Sequence, residues 1–145
     1  MTTTDQFAEV IRTEADLAEA ILAALRDQQE ALVHFRNKDL VSAVERQQRL
    51  LAPMEELERE RINLSRSLSD GSNEFSTLSS IAAHSPSERA VSLLETGARL
   101  REKAENIMVV SRQNRALLEH SLRFVKHTLR IMTENYARKL VDTTM

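Results

Sequence analysis

The sequence predicts an all-α fold in which an antiparallel helical hairpin is followed by a long third helix, packed as a coiled-coil-like three-helix bundle. Glycine and proline, the residues that interrupt helices, occur only twice each among 145 residues. Ala, Leu, Glu, Arg and Gln dominate, and apolar residues recur at spacings of three and four. The length suits one domain with its own core, and we expect residues 1–145 to form a single all-helical unit.

The first helix is predicted over residues 4–36 and the second over residues 39–69. A turn at residues 37–39 separates them, with Asp39 as the N-cap of the second helix. Pro53 removes one backbone hydrogen bond inside the second helix, so a kink is expected just before it. The predicted inward-facing residues are Phe7, Ile11, Ala18, Ile21, Leu25, Leu32 and Phe35 in the first helix, and Leu40, Leu50, Met54, Leu57, Leu64 and Leu68 in the second.

Folding the hairpin about this turn predicts which residues of the two helices face each other. Phe7 then meets Leu68, and the polar residue Glu14, at a core-facing position of the first helix, meets Arg61. Gln28 meets Gln47 in the same way, while the pairs Ile11–Leu64, Ile21–Met54 and Leu25–Leu50 are apolar. A slipped register would bury one charge alone, so we interpret Glu14 and Arg61 as structural residues that specify the pairing.

A turn over residues 70–73 and a short helix over residues 75–83 are predicted to lead into the third helix, over residues 86–140. Ser85, Pro86 and Glu88 have the pattern of an N-cap, a first-turn proline and a capping box. The third helix would be roughly 80 Å long, against about 45–50 Å for each helix of the hairpin. The hairpin therefore cannot cover all of it if the three helices lie side by side.

The second half of the third helix is apolar on more than one face. One row, called here the apolar stripe, contains Leu118, Leu122, Val125, Leu129 and Met132; a second row beside it contains Leu117, Phe124 and Ile131. Such a broad surface must be buried against something. It either extends past the hairpin to meet a partner or folds back over the hairpin. The candidate partner-binding residues are Leu118, Leu122, Phe124, Val125, Leu129, Ile131 and Met132.

Composition argues against catalysis, metal binding and membrane insertion. Cysteine is absent, no Glu-x-x-His pair occurs, and no Gly-rich phosphate loop or nucleophile elbow is present. We therefore expect no enzyme, no cofactor and no metal site. The chain is acidic over residues 1–35 and basic from Arg112 onward, but these cations share a helix with the apolar stripe, so nucleic-acid binding is not expected. Without an evident signal peptide or membrane span, we expect a cytoplasmic protein.

Several motifs resemble the FlgN-type flagellar export chaperones over roughly residues 5–135. They are Glu45 before Leu50-Leu51, then Leu57-Glu58-x-x-Arg61, and Asn114-x-x-Leu117-Leu118 in the third helix. The resemblance implies a cytoplasmic all-helical chaperone that holds the hook–filament junction subunits FlgK and FlgL before type III secretion. It also implies that the end of the third helix binds the terminal amphipathic helix of the client.

The chain departs from that family pattern in two places. Ser111 stands where members often have a first Asn, and no Gly follows Gly97, so the C-terminal Tyr-Gly motif that docks on the export gate FlhA is missing. For Tyr136, the only tyrosine, packing on the apolar stripe is favoured over gate docking. The alternative to an export chaperone is a self-associating coiled-coil scaffold, a homodimer that buries the apolar stripe against its own copy.

Overall fold

A computed structural model describes residues 2–68 and 78–144, and all of the regular structure in these ranges is helical, which confirms the all-α class. The helices are α1 (Thr3–Val33), α2 (Asn37–Ser67), α3 (Leu78–Ala83) and α4 (Ser87–Thr144). The long third helix of the prediction is α4, and Pro53 lies inside an unbroken α2. The predicted turn at residues 70–73 and the start of the short helix at residues 75–77 lie outside the described residues.

The predicted antiparallel register of α1 and α2 is confirmed by its polar pairs. The Arg61 Nε donates to both carboxylate oxygens of Glu14, at 2.9 and 3.2 Å, and the Gln47 Nε2 donates to the Gln28 Oε1 at 2.8 Å. The apolar partners cluster as expected. Phe7 and Ile11 pack with Leu64 and Leu68, whereas Ile21 and Leu25 pack with Leu50 and Met54.

Burial of the Glu14 carboxylate in its pair with Arg61 costs electrostatic free energy. Its side chain is only 4% exposed, whereas that of Arg61 is 35% exposed. Burial raises the pKa of the Glu14 carboxyl above its usual range, and the charge and hydrogen bonds of Arg61 offset part of this rise. The pair therefore specifies register more than it adds stability, because desolvation of the carboxylate consumes much of the Coulomb attraction.

The prediction of the hairpin turn was wrong in its position and in its residues. The chain reverses at Phe35, which adopts a left-handed conformation with φ 54° and is 76% exposed rather than inward-facing. The Arg36 N–H donates to the Ala31 carbonyl at 2.9 Å, the bond that closes a Schellman motif. Since α2 already begins at Asn37, Asp39 lies in its first turn and is not the N-cap, which is Arg36.

The prediction that Ser85 is the N-cap of the long third helix was also wrong. Its hydroxyl donates to the Ile81 carbonyl at 2.8 Å, so it closes the end of α3 instead of capping α4. The first backbone bond of α4 is accepted by the Pro86 carbonyl from the Ala90 N–H, at 2.8 Å. The sequence signal for a helix start was correct, but the N-cap position falls on Pro86.

The core lies around α1, which packs against α2 along one side and against α4 along another. Buried residues follow α1 from Phe7 to Leu32, whereas α2 contributes Ala43 and Ser65 as its fully buried residues. The short helix α3 lies on α4, near the starts of α1 and α4, and buries Ile81 beside Phe7 and Leu93. Leu78 of α3 lies directly over Gly97, where any Cβ atom would overlap its Cδ2. Gly97 therefore makes room for α3.

Candidate partner-binding surface

Side-chain pairs between α1 and α4 determine how far α4 extends. Asp5 pairs with Arg89 at 2.7 Å, Asp16 pairs with Arg99, and the Gln29 Nε2 donates to the Gln113 Oε1 at 2.8 Å. The residue numbers increase together, so the two helices run parallel with a nearly constant offset. Val33, the last residue of α1, is consequently level with the region of Leu117. Residues 118–144, called here the overhang, extend roughly 40 Å beyond the hairpin.

A polar layer joins all three long helices just before the overhang begins. The Asn114 Nδ2 donates to the Leu25 carbonyl at 2.9 Å and to the Gln28 Oε1 at 3.2 Å, and the same oxygen accepts from Gln47. Asn114 is 3% exposed and is the last buried residue of α4 within the described ranges. Sequence reasoning paired Gln28 with Gln47 but did not join Asn114 to them. A polar residue in line with Leu93, Leu100 and Ile107 was the available signal.

The seven candidate residues of the overhang are all exposed. Their exposed fractions lie between 36% for Leu118 and 61% for Met132. The structure brings the apolar stripe together on one face, and it places Phe124 and Ile131 beside that face, next to half-buried Leu117. Of the two arrangements left open by the sequence, the structure shows the extended one.

The apolar surface continues beyond the residues selected from sequence. Tyr136, Leu140 and Val141 are 66%, 52% and 54% exposed. Tyr136 and Leu140 continue the stripe at spacings of four from Met132, so they lie on the same helical face. Both were inside the predicted helix and could have been included by extending the spacing. Tyr136 lies on the same helical face as the stripe, and its ring is open to solvent.

A groove lies at the end of the bundle away from the overhang. It encloses about 690 Å³ between α1, α2, α3 and α4, and its lining includes Phe7, Ile11, Ile62 and Leu100. Arg61 and Arg101 also line it. Phe7 and Ile11 belong to the core cluster beneath α3, so this groove is an incompletely filled part of the bundle.

The described residues contain no cluster that resembles a metal centre. Across residues 2–68 and 78–144, no three His, Cys, Asp or Glu side chains come together as metal ligands would. His120 and His127 are exposed, and the His127 Nδ1 lies 3.1 Å from the Arg130 Nη2. In the same ranges, no helix has the length and hydropathy needed to cross a bilayer. The chemistry available at the overhang is apolar contact flanked by positive charge.

One known protein family matches this chain. The family model described as FlgN protein matches residues 1–140, which includes the hairpin, the polar layer and most of the overhang. No curated protein and no solved structure gave a significant match. Because the family model spans nearly the whole chain, the chain belongs to the FlgN family, whose members are non-enzymatic flagellar export chaperones for hook-associated proteins.

Proposed function

We propose that this chain binds the terminal helices of hook-filament junction proteins of the FlgK and FlgL type and keeps them soluble and unassembled before type III secretion. The proposed binding residues are Leu118, Leu122, Phe124, Val125, Leu129, Ile131 and Met132. The observation that carries the proposal is the exposed apolar stripe on a helix that extends beyond its own bundle. Family membership supplies the class of client.

The stripe has the form of a helix-binding surface. Its residues recur at spacings of three and four over about four turns, which is the pattern by which one amphipathic helix packs on another. Leu122 and Leu129 are 59% and 57% exposed, so covering the two of them would contribute about 2–4 kcal/mol of binding free energy. Ordering a flexible client segment opposes part of this gain, which keeps the complex releasable.

The proposal also covers the compartment in which the chain acts and the protein that receives the client from it. We propose action in the cytoplasm and delivery to the export gate FlhA, and both rest on family membership. For the gate, Tyr136 offers no matching motif because no Gly follows it in the sequence. A self-associating scaffold is the alternative function, since the same exposed stripe could pack against a second copy.

The decisive experiment is co-purification of hook-associated subunits with the tagged chain and with Leu122→Ser/Leu129→Ser. We expect the wild-type chain to capture these subunits and the double variant to lose them, because serine removes the apolar contacts. A matched control is Leu51→Ser/Leu94→Ser, which alters two leucines that are 51% and 47% exposed outside the overhang. This control should capture the subunits normally.

Two results would contradict the proposal. If Leu122→Ser/Leu129→Ser unfolds the whole chain in circular dichroism, the stripe belongs to the protein's own core. If the wild-type chain captures no hook-associated subunit and light scattering shows a dimer, the scaffold function is the better one. Loss of capture by the overhang variant alone, with unchanged helicity, would support an export chaperone that uses this surface.

A further inference from the structure

Four cations of α4 lie along one side of the apolar stripe. Arg123 follows Leu122, Lys126 follows Val125, and Arg130 follows Leu129 by one position each. Successive helical residues are rotated by about 100°, so these cations form a line beside the stripe. Arg115 starts the same line about two turns before Arg123. These four cations, Arg115, Arg123, Lys126 and Arg130, are called the basic edge; Glu119 lies between the first two.

The other side of the stripe has a different character. It is formed by the residues that precede the stripe residues by one position, and it carries no charge until Lys139. Its members are Leu117, Ser121, Phe124, Thr128, Ile131 and Asn135. The surface therefore has an apolar centre, one basic edge and one uncharged edge.

The basic edge lacks the acidic partners that arginines have within the bundle. Each inter-helix ion pair of the described bundle joins an arginine of α2 or α4 to an acid of α1, in the pairs Arg46–Asp27, Arg61–Glu14, Arg89–Asp5 and Arg99–Asp16. In the same described residues, no carboxylate pairs with the basic edge, and its side chains are exposed. Beyond the end of α1, α4 continues to present cations without an acidic helix beside it.

We propose that the helix bound by the overhang carries acidic residues along the edge that meets Arg115, Arg123, Lys126 and Arg130, and uncharged residues along its other edge. This rests on the proposed function, in which the overhang holds a client helix. Flanking charges determine partner choice between paired helices because like charges brought together by the contact repel. An antiparallel second copy would place the basic edge against itself, so charge favours an acidic client over that self-pairing.

The test uses two synthetic helical peptides of about four heptads with the same apolar residues. One has Glu along one edge, the other has Lys there, and both have Gln along the opposite edge. Fluorescence anisotropy with the full chain should show the Glu peptide binding about tenfold more tightly than the Lys peptide, as three or four flanking charge pairs would give. Raising salt from about 0.05 M to about 0.5 M should shrink this ratio.

Reversing the charges of the basic edge tests whether this edge causes the preference for the Glu peptide. Arg123→Glu/Lys126→Glu/Arg130→Glu should reverse the preference toward the Lys peptide. Arg26→Glu/Arg59→Glu/Arg138→Glu changes the net charge equally at exposed sites away from the edge and should keep the preference for Glu. Equal binding of the two peptides, binding of neither, or reversal by the control variant would overturn the inference.

The outcomes separate this inference from the proposed function. If hook-associated subunits are captured but the peptides are not distinguished, the acidic-edge inference is wrong and the chaperone function stands. If the peptides are distinguished but no hook-associated subunit is captured, the partner chemistry stands and the proposed client is wrong.

Discussion

The two halves of the Glu14–Arg61 pair should differ in what their removal costs. Arg61→Gln leaves the Glu14 carboxylate, only 4% exposed, without a cation inside the bundle. Glu14→Gln leaves a guanidinium that is already 35% exposed and that can turn toward water. The side-chain amide oxygen introduced by Glu14→Gln could still accept from the Arg61 Nε. The structure thus predicts that Arg61→Gln lowers the free energy of unfolding more than Glu14→Gln does, although both variants change the same ion pair.

The expected magnitudes follow from these exposures. Breaking a buried pair by removing one partner costs about 3–5 kcal/mol, and water around Arg61 places Arg61→Gln near the lower end of this range. Glu14→Gln should change the free energy of unfolding by less than about 1 kcal/mol, because the lost charged hydrogen bond is offset by relief of carboxylate desolvation. Arg46→Gln is the control, since its pair with Asp27 is exposed and should matter little.

The pH dependence gives the same comparison a second readout. Burial holds the pKa of Glu14 above its usual range, so the folded state binds more protons than the unfolded state between the two pKa values. This contribution to stability is therefore present at low pH and declines as pH rises through that window. Arg61→Gln should extend the decline to higher pH, because loss of the cation raises the pKa of Glu14 further. Glu14→Gln should remove this pH dependence.

Urea unfolding followed by circular dichroism, between about pH 4 and pH 8, measures both effects. Equal losses of stability from Arg61→Gln and Glu14→Gln would refute the argument from unequal burial. A pH dependence that persists unchanged in Glu14→Gln would refute the assignment of the titration to this carboxyl.

Substitutions at three further positions test other parts of the fold. Phe35→Gly should raise the free energy of unfolding by about 1 kcal/mol because glycine adopts positive φ without strain, whereas Phe35→Val should lower it; urea midpoints compare the two. Gly97→Ala should cost about 1–3 kcal/mol by displacing Leu78, and faster amide exchange in α3 would report the displacement, whereas unchanged exchange would contradict it. Asn114→Ala should cost about 1–3 kcal/mol in urea unfolding, and a neutral effect would mean that the polar layer is dispensable.

The hairpin was predictable because its evidence is periodic and repeated. Apolar spacing located both helices, and two polar positions, Glu14 and Gln28, had polar partners at the same register as the apolar pairs. A slip would have broken both kinds of match together. The wrong positions lay at helix ends, where Phe35 turns the chain although glycine or asparagine is the usual residue there. Nothing in the local pattern distinguishes such a position from one more inward-facing aromatic residue.

The sequence predicted the apolar surface of the overhang but left its position relative to the hairpin open. The spacing of Leu118, Leu122 and Leu129 shows that they share a helical face, but it does not show whether that face is covered. The sequence likewise did not identify the residues that contact Asn114 and Gly97, because Leu25 and Leu78 come from other helices.

The sequence by itself determined the helical class, the hairpin register and the amphipathic faces, because these follow from backbone geometry, from local apolar spacing and from a short turn that fixes which residues of α1 and α2 face each other. Only the tertiary structure decided that α4 runs parallel to α1 and leaves residues 118–144 beyond the hairpin. That axial position depends on contacts such as Asp5–Arg89 and Asn114–Leu25, which join residues more than eighty positions apart in the sequence. Local periodicity carries no information about such distances, and the exposure of the apolar stripe depends on them.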